Sequence, residues 1–325
     1  MKSKFLFLSA CIMGLFSFMG TTVYAQQTVK ITVAADGSGN YTTVQEAFNA
    51  APDGGKKQVI IYIRNGVYKE KLSLTATKKN ITIIGEDKFN TILTYDDHTG
   101  KKTGDGSIIN TRTSYSFLIK ADNFTAKNIC FQNDAGFTAG QAVAVESDGD
   151  KAVFDNCRFL GFQDVLFLNN GNSRQYFNNC YIEGTTDFIF GSSTAWFEKC
   201  HIHSKKNSHV TAASTPKENA TGFVFNDCIL TGDTSLHSVS LGRPWRPYAS
   251  VSYIHCYIGP HILSEGWNNW KNPENEKTAR YAEYKNYGPG ANSFERVHWI
   301  KQLNKQDIKQ YNLKNIFGDW EPVLN

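Results

Sequence analysis

This 325-residue chain lacks most of the short motifs that would assign a chemistry at sight. There is no Gly-x-Ser-x-Gly, so the strained elbow of a serine hydrolase is not indicated. No CxxC pair occurs, which argues against a zinc knuckle or ribbon. No glycine loop of the usual phosphate-cradling patterns is present. There is no basic run, and the net charge is only +4, or +2 once Lys2 and Lys4 of the first 25 residues are set aside. Such a balance leaves no electrostatic footprint for nucleic acid. Past residue 20 no apolar stretch is long enough to cross a bilayer, and before residue 300 only one helical pattern is evident.

Core-forming residues, by contrast, are plentiful. Twenty-two Phe and fifteen Tyr in a chain that is 41% hydrophobic can bury a large interior, which excludes a disordered protein. The first 25 residues read as a secretory signal. Lys2 and Lys4 form its charged start, residues 5–20 are apolar, and Val23-Tyr24-Ala25 supplies a cleavage site before Gln26. The apolar run falls short of the roughly 20 residues a membrane anchor needs. Leu8-Ser9-Ala10-Cys11 resembles a lipoprotein box, so lipid on Cys11 is an alternative. The apolar run continues past Cys11, which favours plain secretion of a single domain over 26–325, with no membrane association.

Gly39-Asn40-Tyr41 is a turn. Thr43 with Glu46 then forms a capping signal, and Val44, Ala47, Phe48 and Ala51 recur at helical spacing. Pro52-Asp53-Gly54-Gly55 ends this helix, which is expected to cap one end of a larger body. From Val59 onward short β-type runs follow one another, at 59–63, 81–84, 117–120 and 152–154, separated by Gly, Asn and Asp. They carry a repeat. Phe154, Phe177, Phe197, Phe225 and Tyr253 each precede a cysteine by three residues, at Cys157, Cys180, Cys200, Cys228 and Cys256. An apolar residue stands two positions after each cysteine. Ile129 holds the equivalent place in an earlier copy, so Cys130 is one register off.

A 20–28-residue repeat of short strands predicts an all-β parallel solenoid, with coils stacked about 4.8 Å apart. A leucine-rich repeat would need Leu at several fixed positions, and a sandwich would show hairpin turns. Six cysteines in a secreted chain ordinarily suggest disulfides, but five in one column between apolar neighbours suggest a stack of buried thiols. After Tyr257 the repeat fades. Trp267, Trp270 and residues 281–287 read as loop and final-coil packing, and residues 307–317 as a weakly helical tail over a face or end.

Asp164 lies seven residues after Cys157, and Asp187 seven after Cys180. Stacking turns that shared offset into proximity on adjacent coils. Two carboxylates so placed cannot both ionise cheaply, which suits one nucleophile or base and one acid. The same spacing fits a polar turn ladder equally well. Gln141 stands 22 residues before Gln163, so their amides could face one oxyanion. Gln163 and Asp164 are chain neighbours, and both serve one site only if the backbone bends there. Arg243 could hold a carboxylate ionised. Trp245, Phe162 and Phe188 offer flat faces for a sugar ring, or for core packing. His201 and His203 share a strand face and read as polar strand residues ahead of metal ligands.

With these motifs in place, the chain resembles the pectinesterases, right-handed parallel β-helix enzymes. Gly39-Asn40-Tyr41-Thr42-Thr43-Val44-Gln45-Glu46-Ala47 resembles the family's first segment. Gln141-Ala142-Val143-Ala144-Val145 and Gly161-Phe162-Gln163-Asp164-Val165-Leu166-Phe167 resemble two more. Asp187-Phe188-Ile189-Phe190-Gly191 and Leu241-Gly242-Arg243-Pro244-Trp245 match unchanged. The resemblance implies a single-stranded β-helix that removes methyl esters from pectin, with no metal or cofactor. It implies Asp187 as nucleophile, Asp164 as general acid and then base, Gln141 and Gln163 as oxyanion donors, Arg243 as the partner of Asp187, and Trp245 and Thr111 as substrate contacts. Val165 and Phe167 stand where the family has Thr and Tyr, and no plant-type inhibitory pro-region is expected. Two rivals are carried. One is another β-helix polysaccharide enzyme, such as a lyase or glycosidase. The other is a carbohydrate-binding solenoid without activity.

Overall fold

The computed structural model describes Met1 and residues 28–324. The predicted cleavage site and Cys11 lie outside the described residues. Among those described, the strands form three parallel sheets that wind past one another. A large sheet of eleven strands runs from Thr28–Val33 to Lys301–Gln302, a second of eight from Gly66–Lys69 to Tyr257–Ile258, and a third of seven from Leu72–Leu74 to Ser240–Pro244. The central turns of the chain each contribute one short strand to each sheet, and these pair with the strands of the turns before and after. This is the parallel β-helix expected from the repeat.

The repeat sets the register. Phe154, Phe177, Phe197, Phe225 and Tyr253 are direct partners on successive strands. Their rings stack nearly parallel at 4.7, 4.6, 4.5 and 4.5 Å between centroids. Every one is fully buried. Each such pair adds about 0.5–1.5 kcal/mol beyond the area it buries. The column of cysteines runs alongside. All six cysteines described are free and buried. The thiols of Cys157, Cys180, Cys200, Cys228 and Cys256 donate to the carbonyls of Ala126, Phe154, Phe177, Phe197 and Phe225, one turn back, at 3.4–3.5 Å. Cys130 pairs with Arg158, one place past the column, and Ile129 fills the core position.

The residue just before each column cysteine has a positive φ: Asn156, Asn179, Lys199, Asp227 and His255, all at 52–54° or 51° for Lys199. One left-handed residue makes the corner between the large and second sheets, and Asn and Asp tolerate that conformation best. The corner amides also reach one another, with Asn156 Nδ2 donating to Asn128 Oδ1 at 2.7 Å and Asn179 Nδ2 to Asn156 Oδ1 at 3.3 Å.

The early helix spans Val44–Ala50, with Thr43 accepting from the Glu46 amide. The Glu70 carboxylate accepts from the Val44 and Gln45 amides, neutralising the exposed N–H groups of the first turn. Phe48 stacks on Phe117 at 5.4 Å, which anchors the helix to the core. At the other terminus a 3-10 turn over Asp307–Gln310 and a short helix over Leu313–Phe317 lie on the outer face of the large sheet. There Phe317, Ile316 and Trp320 cover Val153, Tyr176, Trp196 and Val224. The tail therefore covers a face.

Candidate active site

The seven-stranded sheet presents its outer face to a cleft of about 400 Å³. Both aspartates are in its wall. Asp164 and Asp187 have φ of 65° and 50°, left-handed corners like those beside the cysteines. Their amides donate to Thr186 and His209 carbonyls on the next turn, at 3.1 and 2.8 Å. The corner at Asp164 is the bend required for Gln163 and Asp164 to serve one site, and both line the cleft. Gln141 pairs with Gln163 in a parallel bridge, so the two amides stand on neighbouring turns beside the acids.

Arg243 breaks the symmetry of the acids. Its Nε donates to Asp187 Oδ1 at 3.0 Å and its Nη2 to Oδ2 at 2.6 Å, a bidentate pair. The register runs Phe190, Ala212, Arg243 on successive strands. Arg243 thus reaches back across a whole turn, and the small Ala212 leaves that path open. Gly242 beside it sits so close to the previous turn that a Cβ would lie 2.0 Å from Thr211 Oγ1. The guanidinium also lies 3.6 Å from the Trp270 ring centroid, which fixes its plane.

Burial pushes both carboxyls up. Asp164 goes well above the ordinary carboxylate range, because burial is reinforced by the charge of Asp187 and only partly offset by Arg243 and the Gln163 amide. Asp187 rises less, because the hydrogen bonds and charge of Arg243 oppose its burial. Asp187 therefore ionises first and Asp164 retains the proton. Nearby, burial holds the His209 imidazole down to about 4, and its Nδ1 is bonded to the Ser240 hydroxyl at 2.7 Å.

Comparison with known proteins gives the family. The pectinesterase family profile matches residues 30–319. The chain belongs to the pectinesterase family. Pectinesterases are carboxylic ester hydrolases. Among relatives, Pectinesterase 31 of Arabidopsis thaliana is 40% identical over 278 residues, covering 84% of this chain and 87% of that one. A probable pectinesterase/pectinesterase inhibitor of Brassica napus is 38% identical over 297 residues, and the match spans 50% of its length. Pectin methylesterase from carrot superposes with a TM-score of 0.81 at 34% identity, covering 88% of this chain and 92% of that one. A pectin methylesterase crystallised with a hexasaccharide gives 0.80 at 27% identity, covering 90% and 98%.

Within this pectinesterase cleft, Asp164, Asp187, Gln141, Gln163, Arg243, Trp245 and Thr111 all reach the same space. Phe188 does not. Its ring is fully buried in the core, because the corner at Asp187 turns both Phe188 and Ile189 inward. Phe162 also stays out of the cleft, packed edge-on against Phe137 with the Lys205 ammonium 4.1 Å from its ring. The aromatic lining comes instead from Phe167 and Phe190, stacked at 4.2 Å and 7°, with Trp245 tilted against both. Their direct pairing was available from the repeat: both lie three residues after the aspartates. Trp270, read from sequence as packing, is the fourth ring of the cleft. Trp267 is core, against Tyr281 at 4.4 Å. His201 and His203 share the Thr231 hydroxyl at 2.7 and 2.8 Å on a different sheet.

Proposed function

We propose that this protein is a pectin methylesterase whose catalytic pair is Asp187 and Asp164. The observation that carries the proposal is the bidentate Arg243–Asp187 pair set one turn from a carboxyl that keeps its proton. Asp187, ionised, attacks the carbonyl carbon of a methyl-esterified galacturonate unit. The carbonyl electrons move onto oxygen, which the Gln141 and Gln163 amides face. The intermediate collapses as the C–O bond to methoxide breaks and Asp164 delivers its proton, releasing methanol and leaving an acyl anhydride on Asp187. Asp164, now ionised, takes a proton from water as the water oxygen attacks the acyl carbon. The acid product leaves, Asp187 returns as carboxylate, and Asp164 is again protonated. Trp245, Trp270, Phe167 and Phe190 offer faces along which the polymer lies.

The deciding experiment is methanol release from highly methylated pectin, with and without EDTA. Stoichiometric methanol and acid, unaffected by EDTA and without chain cleavage, is the expected result. Unsaturated ends that vanish in EDTA would identify a lyase, and binding without methanol would identify a non-catalytic solenoid. The protein acts outside the cytoplasm as a monomer, after cleavage near Ala25. An N-terminus at Gln26 in the exported protein checks this, and lipid on Cys11 would overturn it.

A further inference from the structure

The eight-stranded sheet carries a groove that the proposed chemistry does not use. It encloses about 300 Å³ and is lined chiefly by Lys88, Phe89, Arg158, Tyr181, Lys199 and His201. No residue lining it is acidic. The cleft with the two aspartates belongs to the seven-stranded sheet, so the two depressions share no residue.

The winding sets the course of this groove. Arg158, Tyr181 and His201 are register partners on the strands Arg158–Leu160, Tyr181–Gly184 and His201–Ser204. Asn179 and Lys199 hold the left-handed corners just ahead of the last two. The groove therefore crosses the strands and follows the axis of the solenoid, at about 4.8 Å per turn. That step is comparable with the length of one sugar unit. Lys88 and Phe89 come from the turn between the strands Ile81–Gly85 and Thr91–Tyr95.

The cations here are held in place but not neutralised. The Arg158 guanidinium carbon lies 4.9 Å from the Phe89 ring centroid and 5.6 Å from that of Tyr181, so two rings fix it. Lys88 Nζ donates to Asn156 Oδ1 at 2.6 Å, a neutral partner. Lys199 is exposed. Among the described residues none of the three is in an ion pair, because the nearby acids are engaged elsewhere. Glu183 accepts from the Tyr181 hydroxyl at 2.8 Å and from Lys205 at 2.9 Å, and Asp155 from Asn178 Nδ2 at 2.8 Å. Phe89 is 57% exposed. An uncovered ring beside uncompensated cations suits a ligand that alternates apolar sugar faces with carboxylates, and a guanidinium takes a carboxylate in bidentate fashion.

We propose that this groove is a second, non-catalytic binding site for a polyuronate chain. The proposal rests on the functional reading above, because ester hydrolysis produces such a chain. The groove holds demethylated stretches of a polymer whose remaining esters enter the cleft, and so keeps the protein on the polymer between turnovers.

The test uses the full chain unaltered, with Arg158→Gln and Lys199→Gln combined, and with Phe89→Ala alone, each checked by thermal melting. Phe89 is exposed, so that variant keeps the test open if the double variant fails to fold. Polygalacturonate and polyglutamate are titrated calorimetrically into each. Polygalacturonate binding should weaken about tenfold in the double variant, and less in Phe89→Ala. Polyglutamate, which has no sugar rings, should bind more weakly and be indifferent to Phe89→Ala. Methylated oligogalacturonides short enough to fill only the cleft should keep their kcat/KM in every variant, while KM on partly de-esterified pectin rises severalfold. Unchanged polygalacturonate binding would overturn the site. So would equal losses on the short oligomers, which would trace the effect to the cleft, or equal losses on polyglutamate, which would leave only a general anion patch. If the unaltered protein releases no methanol the functional reading fails, while the titrations still decide whether the groove holds a polyuronate.

Discussion

Two columns of left-handed residues run along this molecule, and they use one backbone device for opposite ends. Beside the cysteines, Asn156 and Asn179 turn the corner between sheets and their amides bond to one another along the stack. In the cleft, Asp164 and Asp187 turn an equivalent corner, but two carboxylates cannot bond to each other in that way without a shared proton. Amides satisfy a ladder because each both donates and accepts. Ionised carboxylates only accept, so the second column stays unsatisfied until a cation enters from elsewhere. Arg243 enters at Asp187 and not at Asp164. The asparagine stretch of the first column is uniform and structural. The other column is forced to be unequal, and in the proposed mechanism that inequality separates a nucleophile from an acid.

The contrast can be broken from either side. The largest effect is expected in the cleft, where Asp187→Asn should cut methanol release by about 10⁴-fold or more while the melting temperature holds. Full activity in that variant would remove the nucleophile. Gln163→Ala or Gln141→Ala should cost on the order of 10²- to 10³-fold in kcat, with a smaller change in KM, if the amides meet the oxyanion. Arg243→Gln tests the inequality directly. Arg243 holds Asp187 lower than burial alone would. Its removal raises that pKa, so the acidic limb of the kcat/KM profile should move to higher pH by about 1–3 units. An unmoved limb would separate Asp187 from that limb.

On the structural side the expectation reverses. Phe177 is fully buried between Phe154 and Phe197. Phe177→Ala should cost about 3–5 kcal/mol in denaturant unfolding, and the folded fraction should turn over normally. The smallest effect is expected at a structural corner, where Asn156→Ala should cost roughly 1 kcal/mol for an alanine held in the left-handed region. A large loss of activity there would mean that the two columns are coupled.

Much of this site was legible because a solenoid converts spacing into position. Equal offsets from Cys157 and Cys180 put Asp164 and Asp187 on adjacent turns, and the 22-residue step from Gln141 put its amide beside Gln163. The bend at Asp164 followed from requiring two chain neighbours to share one face. Which acid attacks did not follow from spacing, because Arg243 arrives from two turns away across Ala212. Phe188 and Phe190 were harder to separate. Strand alternation puts alternate residues outward, but the corner at Asp187 sends two consecutive residues inward and shifts the parity for Phe190. Trp270 comes from a segment outside the repeat, where no column predicts a neighbour. The tail over the large sheet was expected as helix, and only the apolar ribbon from Val153 to Tyr284 shows why it lies on that face.

The reach of Arg243 over Ala212 has a further consequence. Every group assigned to the proposed reaction lies on consecutive turns of the winding, from Gln141 to Arg243, and each turn pairs only with its two neighbours. Turns added or deleted outside that interval would lengthen or shorten the track on which a polymer rests without altering one distance among the reacting groups. A turn inserted between Asp187 and Arg243 would sever arginine from aspartate. The architecture thus leaves grip on a long chain free to vary by duplication, while the turn carrying Ala212 is the one whose number cannot change.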